Sequence, residues 1–306
     1  METNIETKTK PEAIIKTKGV TKIYGTKAVV NKVNMTIYKG DIYGFIGSNG
    51  AGKSTFIRCI MGLIKYDGKI EILGRSDPMG LLQARTKIGA IVENPALASN
   101  LNGWDCLKAH ALLYGVRDDD KMTKLLELVG LQNTGTKKVK DFSLGMRQRM
   151  AIAQALINDP EILILDEPTN GMDPQGIVEM RKFLQMLCKT KGITILVSSH
   201  ILAELQQLAT RIGIINDGKL IDEFAIGEIA NKMSATVTIS TSDAAKAVKL
   251  LKDFEVTQKD DGSIVVKDED FKAINKLLAK NDIDVDVVSK SQGSLESYFM
   301  GKVVEE

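Results

Sequence analysis

Apolar residues along this chain fall into three kinds of run. Short, nearly unbroken runs at 42–46, 88–92, 162–165 and 193–197 are the mark of strands buried on both faces, as in a parallel sheet. Residues 14–17, 19–24 and 33–38 alternate apolar and polar, which predicts half-exposed, antiparallel strands. Helical spacing governs 56–61, 81–87, 103–114, 120–129 and 147–158, where Leu107, Leu112, Leu125 and Leu128 recur on one face and Gly130 is a stop signal. Turn chemistry separates the runs. Tyr66-Asp67-Gly68-Lys69 and Asp217-Gly218 read as hairpin turns, and Asp173-Pro174 reads as the cap of another helix.

Beyond about residue 230 the elements shorten, and lysine and acid density rises. The pattern there is strand (235–240), helix (243–254), strand (255–259), strand (263–267), helix (270–280), strand (283–288), with a last helix over 295–303. That βαββαβ order is ferredoxin-like. No residue set within it suggests catalysis, so it reads as a small regulatory or interaction domain.

Composition narrows the class. With 306 residues and 43% apolar content the chain supports one large domain or two. A net charge of +2 is too near balance to imply a nucleic-acid partner, and none is expected. Cys59, Cys106 and Cys188 are far apart and form no CxxC pair, which fits small buried hydrophobes in a reducing compartment. No apolar run approaches the ~20 residues that span a bilayer, and the polar start, Met1 to Lys10, lacks a signal-peptide core. A cytosolic protein is expected, with any membrane-spanning helices supplied by another subunit.

The chemistry concentrates at the ends of the buried strands. After 42–46 comes Gly47-Ser48-Asn49-Gly50-Ala51-Gly52-Lys53-Ser54-Thr55, followed by a helix. Strand, glycine loop and helix form a phosphate-binding loop: backbone N–H groups wrap an anion and the positive helix end supports it. Lys53 would reach the β- and γ-phosphates, and the Ser54 hydroxyl would ligate Mg²⁺. The strand at 162–165 ends in Asp166-Glu167, where Asp166 suits Mg²⁺ and Glu167 suits proton transfer from water. His200 ends a further buried strand, within reach of a γ-phosphate. Glu93 lies where the 88–92 strand gives way to a loop at Pro95. Ser143, with Gly145 behind it, is a second helix N-terminus suited to an anion. Tyr24 reads equally well as a half-buried strand aromatic and as a base-stacking side chain.

These motifs, in this order over about 14–225, resemble the ATP-binding subunit of an ABC transporter. Two departures mark a branch. The usual Leu-Ser-Gly-Gly-Gln signature is Phe142-Ser143-Leu144-Gly145-Met146, and the usual glutamine after the third strand is Glu93. Both, and the ending Ser294-Leu295-Glu296-Ser297-Tyr298-Phe299, resemble the bacitracin-resistance and lantibiotic-immunity exporters. The resemblance implies an α/β fold: a P-loop NTPase cassette (13–229) with a mainly parallel core sheet, an antiparallel β subdomain and a helical subdomain at about 96–158. A polar tail (1–12) would precede it, and a small α+β domain (230–306) would follow.

For function, the resemblance implies an ATPase on the cytoplasmic face of the membrane. It would use ATP and Mg²⁺ and pair with an integral permease that contacts the peptide antibiotic. Two copies would sandwich each ATP, so that Ser143 and Gly145 touch the γ-phosphate held by the partner copy, while Asp173 lies at the same seam. Tyr24 would stack on adenine. Glu93 would sit beside Mg²⁺ and link the site to the permease, although a carboxylate there lacks the amide's donor. Rival readings are export of a lipid or small drug, and a soluble ABC ATPase acting on ribosomes or DNA. The single cassette and the absence of sustained heptads count against the last.

Overall fold

In the computed structural model, the residues described are 11–93, 96–228, 236–291 apart from 242, 255, 260–261 and 268–269, and residue 298. Most of the polar tail and the helix expected at 295–303 lie outside them. The chain divides into two compact units, Met1–Ile226 and Gly227–Glu306.

The first unit is built on two sheets. Strands β1 (Ala13–Tyr24), β2 (Lys27–Val33), β3 (Thr36–Tyr38) and β5 (Asp67–Ile72) form an antiparallel sheet in which β1 pairs with all three others. The second sheet has the order β10-β9-β4-β8-β7-β6, made of β4 (Ile42–Ile46), β6 (Ile88–Ile91), β7 (Ile162–Asp166), β8 (Thr194–Ser199), β9 (Arg211–Asn216) and β10 (Lys219–Ala225). All its neighbours are parallel except the β9–β10 hairpin at one edge. Strands β4, β7 and β8 are buried along their whole length, as unbroken apolar runs require.

Helix α1 (Lys53–Met61) runs between the sheets. Its Phe56, Ile57, Cys59 and Ile60 are fully buried against Ile15, Val20 and Val30 of one sheet and Phe45, Ile164 and Leu196 of the other. Each large apolar side chain here contributes about 1.5–3 kcal/mol. The loop that opens this helix is therefore fixed from two sides. Helices α3 (Gly103–Leu113), α4 (Asp119–Leu128) and α5 (Leu144–Ala155) pack on one another, and each starts with a side-chain cap: Asn102, Asp118 and Ser143. Helix α6 (Pro174–Lys191) buries Met180, Leu184 and Leu187, spaced along one face, and Asp173 caps it. Helix α7 (Leu202–Leu208) follows β8.

The second unit has β11 (Thr236–Ser240), α8 (Ala244–Leu250), β12 (Val256–Gln258), β13 (Ile264–Lys267), α9 (Phe271–Lys280) and β14 (Val287–Ser291). Its antiparallel sheet runs β12-β13-β11-β14. Val237, Ile239, Ile264 and Val266 pack with Ala247, Leu251, Ile274 and Leu278 in a core of its own.

Some local expectations shift. Asp67-Gly68 is not a hairpin turn but the start of β5, where Thr21 pairs with Asp67 across a register shift in β1. Gly68 has φ +96°, and a Cβ there would strike the Gly19 carbonyl. A bulge asks for the same backbone freedom as a turn. Helix α2 spans Pro78–Arg85 rather than 81–87, because Asp77 accepts from the Gly80 N–H at 2.8 Å and Pro78 takes the first helical position. The last strand is Val287–Ser291 rather than 283–288, since Ile283 packs into the core beneath the sheet.

At the start of β4 the Tyr43 hydroxyl, fully buried, donates to Glu223 Oε1 at 2.8 Å, and the Thr36 N–H donates to the same oxygen at 3.0 Å. Burial pushes the Glu223 carboxyl up from its ordinary value, opposed by these hydrogen bonds and by nearby Arg211. The folded state thus binds this proton more readily than the unfolded chain does, so the stability Glu223 contributes is lost as pH rises through its raised pKa. Glu223→Gln keeps the acceptor without the charge. Denaturation midpoints of the variant should gain on those of the parent as pH rises from about 4 to about 7, and a pH-independent difference would contradict this.

Candidate functional site

Strand order assembles the site. In the run β4-β8-β7 the registers Ile46↔Ser199 and Asp166↔Ser198 hold the three C-terminal tips level. The glycine loop after β4, the acids that end β7 and the histidine after β8 thus meet at one edge. Ligands bind at that edge in open parallel sheets.

The loop has the cradle its glycines predict. A Cβ on Gly47 would come within 2.5 Å of the Ile215 carbonyl oxygen and 2.8 Å of its Cγ2. Gly50 and Gly52 have φ +85° and +105°, where L side chains are strained. The Ala51 N–H closes a turn on Ser48 O at 3.1 Å, while Ser48, Asn49 and Gly50 face solvent. Ser54 and Thr55 are half-buried in the first turn of α1, where N–H groups have no intrahelical acceptor.

Lys53 is 6% exposed. Its ammonium donates to Gly47 O at 2.7 Å and Ser48 O at 3.2 Å, and pairs with Glu167 Oε1 at 3.2 Å. The other oxygen of Glu167 lies 2.7 Å from His200 Nδ1. Glu167 thus bridges the loop lysine and the strand-end histidine. Its backbone is left-handed, φ +50°, a conformation that costs a non-glycine residue of order 1 kcal/mol and persists where surroundings impose it. A carboxylate so placed can accept a proton from water, and an ammonium so placed can exchange a carboxylate for a phosphate oxygen.

Asp166 is 7% exposed at the tip of β7. Its Oδ1 accepts from the Ser198 hydroxyl at 2.5 Å. A hard carboxylate oxygen suits a magnesium ion.

Other expected residues stand apart. Ser143 caps α5, its Oγ accepting from the Met146 N–H at 3.2 Å. With Gly145, Met172 and Asp173 it lines a cavity of ≈ 460 Å³, whose lining includes no residue of 47–55. Glu93 does not join the Lys53–Glu167–His200 group among the described contacts. It turns out at φ +67°, and its carboxylate pairs with Arg58 of α1. Tyr24 is exposed at the end of β1, with Lys22 Nζ 4.9 Å from its ring centroid.

Two participants were missed by the sequence reading. Ser198 could be found only by aligning β8 with β7 at their tips. Arg58 was signalled faintly, as the lone charge in the otherwise apolar 56–61 run. Gly47→Ala must displace the loop or Ile215, and nucleotide affinity, measured by fluorescence titration, should fall at least about tenfold, a shift of about 1.4 kcal/mol; unchanged affinity would mean that the close approach at Gly47 is not needed.

The family profile described as ABC transporter matches residues 30–170. Across 94% of this chain and 96% of the relative, the sequence is 44% identical to the bacitracin transport ATP-binding protein BcrA of Bacillus licheniformis. It is 46% identical to the lantibiotic transport ATP-binding protein SrtF of Streptococcus pyogenes, over 69% of this chain and 90% of that one. Among solved structures, an ATP-binding cassette in a dimeric post-hydrolysis state bound to ADP and Pi superposes with a TM-score of 0.62 at 26% identity, covering 70% of this chain and 99% of the other. The chain belongs to the ABC transporter family: it is an ATP-binding subunit, an ABC ATPase related to the bacitracin and lantibiotic transport ATP-binding proteins.

Proposed function

We propose that this ATPase powers removal of a peptide antibiotic of the bacitracin or lantibiotic kind through separate membrane subunits. The observation that carries the mechanism is the separation of two half-sites within one chain. Lys53, Glu167 and His200 form one, and Ser143, Gly145 and Asp173 line another cavity. A second copy, placed head to tail, brings the signature half-site of each chain to the loop of the other. The dimeric cassette among the solved relatives supports that pairing. The substrate class rests on the whole-length likeness to a bacitracin transport subunit.

In this reading the 47–55 loop and Lys53 hold the phosphates of ATP, with Tyr24 against the base. Ser54 and Asp166 hold Mg²⁺, which when bound shields phosphate charge. Lys53 leaves Glu167 for the phosphates, and Glu167, released on that side, takes the proton of the attacking water while His200 keeps its carboxylate oriented. Glu93 serves coupling rather than the metal, because its carboxylate is committed to Arg58.

The permease docks beside β6, α3 and α5. There a cavity of ≈ 400 Å³ is lined by Ile88, Val92, His110, Tyr114 and Gln154. Leu112 and Leu113 are exposed next to it, burial lowers the His110 pKa, and, among the described residues, Arg85 is the one basic side chain in the lining. No helix among the described residues is long and apolar enough to cross a membrane; the likeness to transport ATP-binding proteins supports a peripheral subunit, placed in this reading on the cytoplasmic face.

The test is reconstitution with the membrane proteins that co-purify. Bacitracin or a lantibiotic should stimulate ATP hydrolysis, and Glu167→Gln should cut turnover by about 10²–10⁴-fold with ATP binding retained. Stimulation by lipids or small drugs alone, or recovery of ribosomes with no integral membrane protein, would overturn the peptide-export reading. Normal turnover in Glu167→Gln would remove Glu167 from its role.

A further inference from the structure

Ser198 is fully buried next to the C-terminal end of β8, in register with Asp166. Its hydroxyl makes two contacts, both with the acid tip of β7. It donates to Asp166 Oδ1 at 2.5 Å and accepts from the Glu167 N–H at 2.9 Å. The direction of both bonds is fixed. A carboxylate can only accept and a backbone N–H can only donate, so the single hydroxyl proton of Ser198 goes to Asp166.

The neighbouring serine does something else. Ser199 Oγ accepts from the Ile201 N–H at 2.9 Å, which shapes the turn carrying His200. Successive residues of β8 point to opposite faces, so one hydroxyl serves the acids and the next serves the histidine turn.

We propose that Ser198 is a positioning residue that orients both acids of the nucleotide site at once. By occupying Asp166 Oδ1 it fixes the rotation of that carboxylate and leaves Oδ2 for a divalent cation. By accepting the Glu167 N–H it turns the peptide into the sheet and holds the left-handed φ of +50°, which sends the Glu167 side chain the other way, to Lys53 and His200. A hydroxyl with no metal or substrate contact of its own thereby couples the geometry of the metal-holding acid to that of the proton-accepting acid. Outer partners of this type typically govern metal affinity or activity by about 10–100-fold. The proposal rests on the reading of Asp166 as a Mg²⁺ ligand given above.

The experiment uses the full chain and a fluorescent non-hydrolysable ATP analogue, titrated with Mg²⁺ and again with EDTA. The readout is the gain in affinity that Mg²⁺ confers, which needs no turnover. Ser198→Ala removes the hydroxyl, and Ser198→Cys replaces it with a weak donor of similar volume, so that the Cys variant carries the test if the Ala variant does not fold. Asp166→Asn is the control for the underlying reading. The expected result is EDTA affinity within about twofold of the parent and a loss of about tenfold or more of the Mg²⁺ gain in the Ser198 variants. If they keep the full Mg²⁺ gain while Asp166→Asn loses it, Ser198 has no positioning role and the metal reading stands. If Asp166→Asn also keeps the gain, Asp166 is not the ligand and both readings fall. A drop in EDTA affinity equal to the drop with Mg²⁺ would mean general damage to the loop, and would equally overturn the proposal.

Discussion

A lysine ammonium that is almost wholly buried must be compensated, and at Lys53 the compensation comes from the glycine loop and the acid tip of β7. Two loop carbonyls and the Glu167 carboxylate surround it. Leaving such a cation without partners would cost several kcal/mol. The arrangement satisfies the charge while keeping it exchangeable: a phosphate bearing two negative charges can replace a single carboxylate. The same contact restrains Glu167, whose other oxygen is at His200. One ion pair therefore links the glycine loop to the group that, in the proposed mechanism, acts on water.

The rest of the first unit holds that contact in place. Helix α1 is packed between two sheets through Phe56, Ile57 and Ile60, so the loop before it cannot drift. The parallel register across β4, β8 and β7 sets the loop, His200 and the acid pair level to within one residue. Beneath the acids, Ser198 supplies a hydroxyl to one and accepts an N–H from the other. The signature segment is carried on a different group of helices and lines a cavity that includes no residue of 47–55, as the proposed clamp between two copies requires. Arg58 extends the connection: five residues beyond Lys53 on the same helix, it pairs with Glu93 at the exit of β6.

Much of this was legible in the sequence where one physical cause dominates. The buried runs at 42–46, 162–165 and 193–197 could be little else than central parallel strands, and the glycine loop between strand and helix has a single common use. The β-strand and helix order after 230 also predicted the sheet observed in the second unit. Sequence failed where a signal serves two masters. Asp67-Gly68 carries turn chemistry but answers to a bulge against β1, a long-range pairing that no local pattern encodes. Strand β2 was passed over because its residues, Lys27–Val33, are largely half-exposed and pair across a shifted register. Ser198 was invisible because a serine in an apolar strand becomes meaningful only after the neighbouring strand is aligned with it. The Glu93 carboxylate pairs with Arg58 of α1, a partner that the motif order does not encode.

The central claim is that the buried Lys53 ammonium trades its carboxylate for the phosphates of ATP. Calorimetric titration of the full chain and of Lys53→Met with ATP and Mg²⁺ tests it most directly. The account predicts saturable binding by the parent and a weakening of about 10–100-fold in the variant, from loss of charge-assisted hydrogen bonds worth about 1.5–3 kcal/mol. Equal affinity in the two proteins would contradict it.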